Sequence, residues 1–223
     1  MPTLYFHPTP NGSKVALMLE ELQLPFDIEV VDIFRGEQHQ PEFLEINPNG
    51  KVPALVDDGI TVFDSHAILL HLTEKHGAFM PTDPAGRAAA LSWLQLVATG
   101  LSPFSGQAVH FLHYAPEPLP YARNRYFKEV ERHYGVFDQR LAKVPYLAGS
   151  TYSIADIALW GWACSAGYIF GERGLTDYPH VQRLVDEISA RPAAARVIAL
   201  KQRMTLSTEM NEGARRALFP QNL

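Results

Sequence analysis

Cysteine is almost missing from this chain: of 223 residues, only Cys164 carries a thiol. One cysteine excludes an internal disulfide and fits a reducing compartment, so the cytoplasm is the expected location. Cys164 follows Trp160 and Trp162 and reads as a small core residue. Basic residues are also few. Nineteen Lys and Arg against 24 Asp and Glu give a net charge of −5 and a pI near 6.0. That balance argues against nucleic acid as the main partner, because phosphate binding needs a basic face. No apolar run approaches about 18 residues, so no membrane span is expected. A strand starts within the first few residues, which leaves no room for a signal peptide. His110 and His113 lie one helical turn apart, but no carboxylate or cysteine completes a ligand set, so no metal is expected. Internal repeats and low-complexity tracts are missing as well.

What is present is ordinary globular material, 47% apolar and 19% charged, long enough for one large domain or two modest ones. Residues 3–6 read as a strand that runs into a polar turn, residues 8–14, with Pro8, Pro10 and Asn11-Gly12. Prolines cannot continue a strand ladder, so the chain leaves the sheet there. A helix follows with Val15, Met18, Leu19 and Leu22 at helical spacing, and Asn11 or Ser13 can cap it. Residues 26–31 alternate as a second strand, completing a strand–helix–strand unit. After a polar loop, a short helix starts at Pro41. Residues 52–57 form a strand whose second residue is Pro53, and Asp57-Asp58-Gly59 turns it into a strand over 60–63. Asp64-Ser65 then opens a helix running from Ala67 to about His76.

This β-α-β-α-β-β-α order resembles a thioredoxin-like domain, in which the proline at the start of the third strand is cis. The resemblance therefore implies a cis bond at Val52-Pro53. Composition changes at residues 78–84, rich in proline, which read as a linker between domains at 1–77 and 85–223. Beyond the linker the pattern is helical. One long helix covers about 85–113 and bends near Gly100 to Pro103; a second covers 121–142; others follow near 157–162, 179–190 and 197–203. The tail from Thr205 has no clear period and reads as partly ordered.

Ser153, with Asp156 three residues on, has the spacing of a capping box, a structural device worth about 0.5–2 kcal/mol. Taken with the first domain, Tyr152-Ser153-Ile154-Ala155-Asp156-Ile157 resembles the glutathione transferase superfamily, where this box nucleates the central helix. The resemblance runs from Leu4 to about Val197 and includes Gly50-Lys51-Val52-Pro53-Ala54-Leu55 and Asp64-Ser65. Within the superfamily, Thr9-Pro10-Asn11-Gly12-Ser13-Lys14, Gly106-Gln107, Pro120-Tyr121-Ala122 and Arg125-Tyr126 are similar to the bacterial nu class, which consists of glutathione-dependent disulfide-bond oxidoreductases. The implied fold is an N-terminal thioredoxin-like domain followed by an all-helical bundle domain.

The resemblance also implies a site. Asp64 and Ser65 would take the ammonium and α-carboxylate of glutathione, Val52 beside Pro53 its cysteinyl backbone, and Gln38 and Lys51 its glycyl carboxylate. Arg132 would reach the tripeptide from the partner subunit of a homodimer. The thiol would lie near Thr9 and Asn11, whose hydroxyl and amide, with the helix N–H groups, favour thiolate over thiol. With no cysteine in the turn, no mixed disulfide with the protein can form there. Ser13 is better placed as a helix cap than as the thiol donor, and Tyr5 reads as structural. The implied activity is reduction of small disulfides, and by the same thiolate of peroxides, using bound glutathione. A conventional transferase acting on electrophiles and a non-catalytic interaction module of the same fold are the alternatives.

Overall fold

The computed structural model describes residues 1–204, 206, 207 and 209–222. Thr205, Thr208 and Leu223, part of the tail read above as partly ordered, lie outside the described residues. The chain divides into two compact units, Met1–Leu72 with Ala193–Leu223, and Thr73–Pro192. The division expected at 78–84 follows chain order, whereas compactness places residues 193–223 with the first unit.

The first unit holds a four-stranded sheet in the order β2-β1-β3-β4, with β1 Thr3–Phe6, β2 Asp27–Val30, β3 Ala54–Asp57 and β4 Ile60–Phe63. β1 runs parallel to β2 and antiparallel to β3, which pairs antiparallel with β4. The helices are α1 Pro10–Glu21, α2 Pro41–Ile46 and α3 Ser65–His76, so the element order is the thioredoxin-like one. Leu4 and Phe6 of β1 are buried, together with Leu55 of β3, Val15, Met18 and Leu19 of α1, and Ile68, Leu69 and Leu72 of α3. Each such side chain, fully withdrawn from water, contributes about 1.5–3 kcal/mol.

Two boundaries differ from the sequence reading. α1 begins at Pro10, inside the stretch read as turn, because proline at the first helical position has no N–H to leave unpaired. β3 begins at Ala54, after Pro53, which has no N–H for the ladder; the Val52-Pro53 bond is cis.

The second unit is helical: α4 Pro84–Leu96, α5 Ser102–Val109, α6 Pro120–Leu141, α7 Ile154–Ala163, α8 Gly167–Phe170 and α9 Pro179–Ser189. Where a bend was expected near Gly100, a π-helical turn spans Val97–Leu101 and feeds directly into α5. The widened turn accommodates Pro103, which cannot donate to an α-helical ladder. α7 is buried along its whole length and starts on the capping box. The Asp156 carboxylate accepts from Ser153 N (2.9 Å), Ser153 Oγ (3.0 Å) and Leu147 N (2.7 Å). Cys164, which caps the C-terminal end of α7, is exposed rather than in the core; its Sγ lies 3.9 Å from Ser189 Oγ. The core run of α7 ends at Ala163, one residue short of it. α10 Pro192–Arg203 enters the first unit from residue 193, where Arg196 pairs with Glu20 of α1. The tail also contains a seven-residue helix, α11 Glu212–Leu218, too short to register as a hydrophobic period.

Candidate functional site

The N-terminal turn of α1 lies close against the end of β1. A Cβ on Gly12 would overlap the carbonyl oxygen of His7 and touch the Phe6 ring at 3.1 Å, so glycine is required there. Neither Asn11 nor Ser13 caps the helix. The cap is Thr9, extended at φ −83° and ψ 164°, whose Oγ1 accepts from Gly12 N at 3.1 Å. Ser13 is buried and its hydroxyl donates to the Thr9 carbonyl at 2.6 Å, which removes it as a thiol donor. The donors of the first turn can then be counted. Pro10 has none, Gly12 N–H goes to Thr9 Oγ1, and Ser13 N–H goes to the Thr9 carbonyl at 2.9 Å. Asn11 N–H is the one without a backbone acceptor among the described residues. The Asn11 Oδ1, an acceptor, is buried without a hydrogen-bond partner among the described residues. The Thr9 hydroxyl, already an acceptor, keeps its own proton to give. Two donor groups and a helix N-terminus thus meet at one turn, an arrangement that attracts a thiolate.

The start of α3 supplies a second polar cluster. Asp64 adopts the left-handed conformation, φ +71°, which a short polar side chain tolerates by bonding local backbone. Its Oδ1 accepts from His66 N at 2.8 Å and Ala67 N at 3.2 Å. The His66 ring, then those N–H groups, hold the Asp64 carboxyl down to about 2, so it is ionised at neutral pH. The carboxylate remains 65% exposed, while Ser65 is buried beside it at the helix start. An outward carboxylate next to a helix N-terminus can take an ammonium and a carboxylate side by side.

Lys51 and Val52 follow a turn organised by Asn47. Its buried amide donates to Lys51 O at 2.5 Å and accepts from Asn49 N at 3.0 Å. Lys51 is exposed, and Val52 and Pro53 lie outside the ladder, which pairs β3 from Ala54 on. Gln38, expected to serve the glycyl carboxylate, has its amide nitrogen engaged within the first unit. It is buried, and its Nε2 donates to Ala217 O of α11 at 2.9 Å and to Ile33 O at 3.3 Å. His39 Nε2 meets the same Ala217 carbonyl at 3.0 Å. Gln38 Oε1 is buried without a partner among the described residues. Arg132 belongs to the second unit. Its guanidinium is held by Glu129, Nη2 to Oε1 at 2.6 Å and Nε to Oε1 at 3.0 Å, with its side chain 56% exposed.

Two residues that sequence reading passed over stand out in the first unit. Lys14 is fully buried on α1, and its Nζ lies 3.3 Å from Nε2 of His66, also buried. The sequence held one signal: a lysine beside the apolar positions of a helix whose residues 12–19 all prove buried.

The family model described as "Glutathione S-transferase, N-terminal domain" matches residues 9–75, and that described as "Glutathione S-transferase, C-terminal domain" matches residues 105–192. The chain is 44% identical to the disulfide-bond oxidoreductase YfcG of Escherichia coli K12 over 209 residues, 91% of this chain and 96% of that protein. Among solved structures it resembles a glutathione transferase of Burkholderia graminis with two glutathione molecules bound per subunit, with a TM-score of 0.83, 39% identity, and 91% and 89% of the two chains covered. A Pseudomonas putida glutathione transferase with one glutathione disulfide bound per subunit gives a TM-score of 0.83 and 34% identity, with 88% and 90% covered.

Proposed function

The chain belongs to the glutathione S-transferase family, and we propose that within it the protein is a nu-class, glutathione-dependent disulfide-bond oxidoreductase. The observation that carries this reading is the first turn of α1. It holds no cysteine or tyrosine, and among the described residues the Asn11 backbone N–H there has no backbone acceptor. A turn without a nucleophile suits a reaction in which the sulfur arrives with the co-substrate. Asn11 and the Thr9 hydroxyl donate to the glutathione sulfur and keep it ionised. The thiolate attacks one sulfur of a small disulfide, forming a mixed disulfide and expelling a thiolate. A second glutathione thiolate then attacks the glutathione sulfur of that product, giving glutathione disulfide and the second reduced thiol. Two electrons pass from two glutathiones to the substrate, and the protein supplies proximity and electrostatics. A peroxide can accept the same electrons.

The glutathione-binding domain, residues 1–77, supplies the rest of the site. Asp64 takes the α-ammonium and Ser65 with the start of α3 the α-carboxylate. Val52, extended before Pro53, pairs with the cysteinyl backbone as an added strand. Lys51 and Gln38 serve the glycyl carboxylate. Gln38 can do so only once Ala217 releases its amide, so α11 competes with the tripeptide for that donor. The protein acts as a cytoplasmic homodimer, with Arg132 of the partner subunit reaching the bound tripeptide. The runner-up, a conventional transferase, is favoured by no feature of the turn. Turnover of 2-hydroxyethyl disulfide and of 1-chloro-2,4-dinitrobenzene, each with glutathione, separates the two. Fast reduction with slow conjugation is expected; conjugation without disulfide turnover would overturn the reading.

A further inference from the structure

We propose that Lys14 and His66 form a positioning relay for the γ-glutamyl end of glutathione, in which the buried ammonium sets the tautomer of His66 and thereby aims the Ser65 hydroxyl proton at the ligand α-carboxylate. The inference deepens the glutathione reading and rests on it. Its basis is a line of contacts from α1 to α3. Lys14 is fully buried, and His66 Nε2, 3.3 Å away, is its hydrogen-bond partner among the described residues. An ammonium only donates, so Nε2 must present its lone pair and the ring proton must sit on Nδ1. That Nδ1 lies 3.5 Å from Ser65 Oγ and 3.6 Å from Asp64 Oδ1. Its N–H therefore faces the two residues assigned to the zwitterionic end of the tripeptide. With Nδ1–H shared between Asp64 Oδ1 and Ser65 Oγ, the Ser65 oxygen accepts and its proton turns outward, where a carboxylate would bind.

The polarity of the relay depends on the charge of Lys14. As a neutral amine, Lys14 can accept from Nε2–H. The ring then leaves Nδ1 bare, Nδ1 accepts the Ser65 proton, and the hydroxyl no longer donates to the ligand. Burial pushes Lys14 down to about 7, partly opposed by Asp64, so the change falls within the working pH range. Burial also pushes His66 below its ordinary value, which keeps the ring neutral and able to exist in either tautomer. The charged groups acting on this pair, Asp64 and each other, come from α1, α3 and the residue that precedes α3. His7, at the end of β1, responds instead to Asp32, Glu37 and the Val31 carbonyl, to which its Nδ1 donates at 3.0 Å.

The test uses S-methylglutathione, whose sulfur cannot ionise, in titration calorimetry at about pH 6 and about pH 8.5. Wild type should bind at least roughly tenfold more weakly at the higher pH, the loss of one charge-assisted bond. Lys14→Met should bind weakly at both, with the difference gone; the titration of the ligand ammonium is common to both proteins. An identical pH ratio in wild type and variant would overturn the relay and leave the glutathione reading standing. Wild type that binds at neither pH would overturn the glutathione reading itself. A second readout needs no variant: ring nitrogen shifts of His66 by NMR should report Nδ1–H at low pH and Nε2–H at high pH. One tautomer throughout would refute the relay, whereas a lysine that merely packs would not move this signal.

Discussion

Asn11→Ala should lower activity without lowering stability. The Asn11 amide oxygen is buried without a partner, a state that costs roughly 1–3 kcal/mol, and alanine relieves it. Alanine is also the better helix former, by a few tenths of a kcal/mol, at the second position of α1. The melting temperature should therefore stay level or rise by about 2–4 °C for each kcal/mol gained in a chain of this size. The reaction should suffer. A hydrogen bond to an ionised sulfur is worth about 1.5–3 kcal/mol, so kcat/KM for disulfide reduction should fall roughly 10- to 150-fold. If the lost bond stabilises the thiolate, the acid limb of the pH–rate profile should move up by about one to two units, at about 1.4 kcal/mol per unit. Binding of S-methylglutathione should hardly change. The measurements are a melting curve, a pH–rate profile on 2-hydroxyethyl disulfide and a calorimetric titration. A loss of stability matching the loss of activity, or lower activity with the acid limb in place, would refute the reasoning.

Three further outcomes follow from neighbouring geometry. Thr9→Ala removes the cap that accepts from Gly12 N, so unlike Asn11→Ala it should cost about 0.5–2 kcal/mol of stability along with activity, measured by urea unfolding. Asp156 is raised to about 6, because burial outweighs the hydrogen bonds donated to it. The folded chain thus holds a proton that the unfolded chain releases at lower pH, and the stability Asp156 contributes is lost as pH rises through about 6. The unfolding free-energy gap between wild type and Asp156→Asn should be about 1 kcal/mol larger at about pH 5 than at about pH 7.5; equal gaps would show that Asp156 does not titrate there. Truncation before Glu212 removes the Ala217 carbonyl from Gln38 and should lower the glutathione KM severalfold, by the competition argued above; a raised KM would show instead that α11 builds the site.

Most of the first unit was legible because its signals are local. Alternation marked β2, proline marked the start of β3, the Asp57-Asp58-Gly59 turn marked β4, and an acid–serine pair marked the start of α3. Thr9 and Asn11 could be named from the family pattern, but not their division of labour. That needed the position of Pro10 in the helix, which makes Thr9 the cap and leaves the donors of Asn11 over. Long-range facts stayed hidden. Gln38 and Ala217 are 179 residues apart, and nothing around either one signals the other. Lys14 and His66, 52 residues apart, each look like a surface polar residue on a helix. The burial of Lys14 follows from α1 being covered on every side at that level, a property of packing that its own periodicity does not carry. Cys164 failed the other way: its tryptophan neighbours are buried, but the helix ends at Ala163 and the thiol faces out.

Local charge, rather than net charge, decides what this protein can hold. The chain carries −5, yet its proposed ligand is itself an anion with two carboxylates and, when reactive, a thiolate. Many of its arginines are already neutralised: Arg132 by Glu129, Arg173 by Glu131 and Asp177, Arg183 by Glu187, Arg216 by Glu212, and Arg196 by Glu20. Exposed pairs of this kind contribute little and are screened by salt. In the first unit the buried ammonium of Lys14 is a charge that salt screens poorly, to which the starts of α1 and α3 and the exposed Lys51 add. Lys14 sits one helical turn past Asn11 and touches His66 at the start of α3, so it lies between the elements assigned to the sulfur and to the γ-glutamyl end of the ligand. A buried charge whose one direct partner among the described residues is a histidine is costly to keep, and an apolar residue of similar volume is often neutral or stabilising in its place. Lys14→Met should therefore melt no lower than wild type while binding glutathione less tightly at about pH 6. Loss of stability with binding intact would make the lysine a structural residue and return the attraction for the anion to the two helix ends alone.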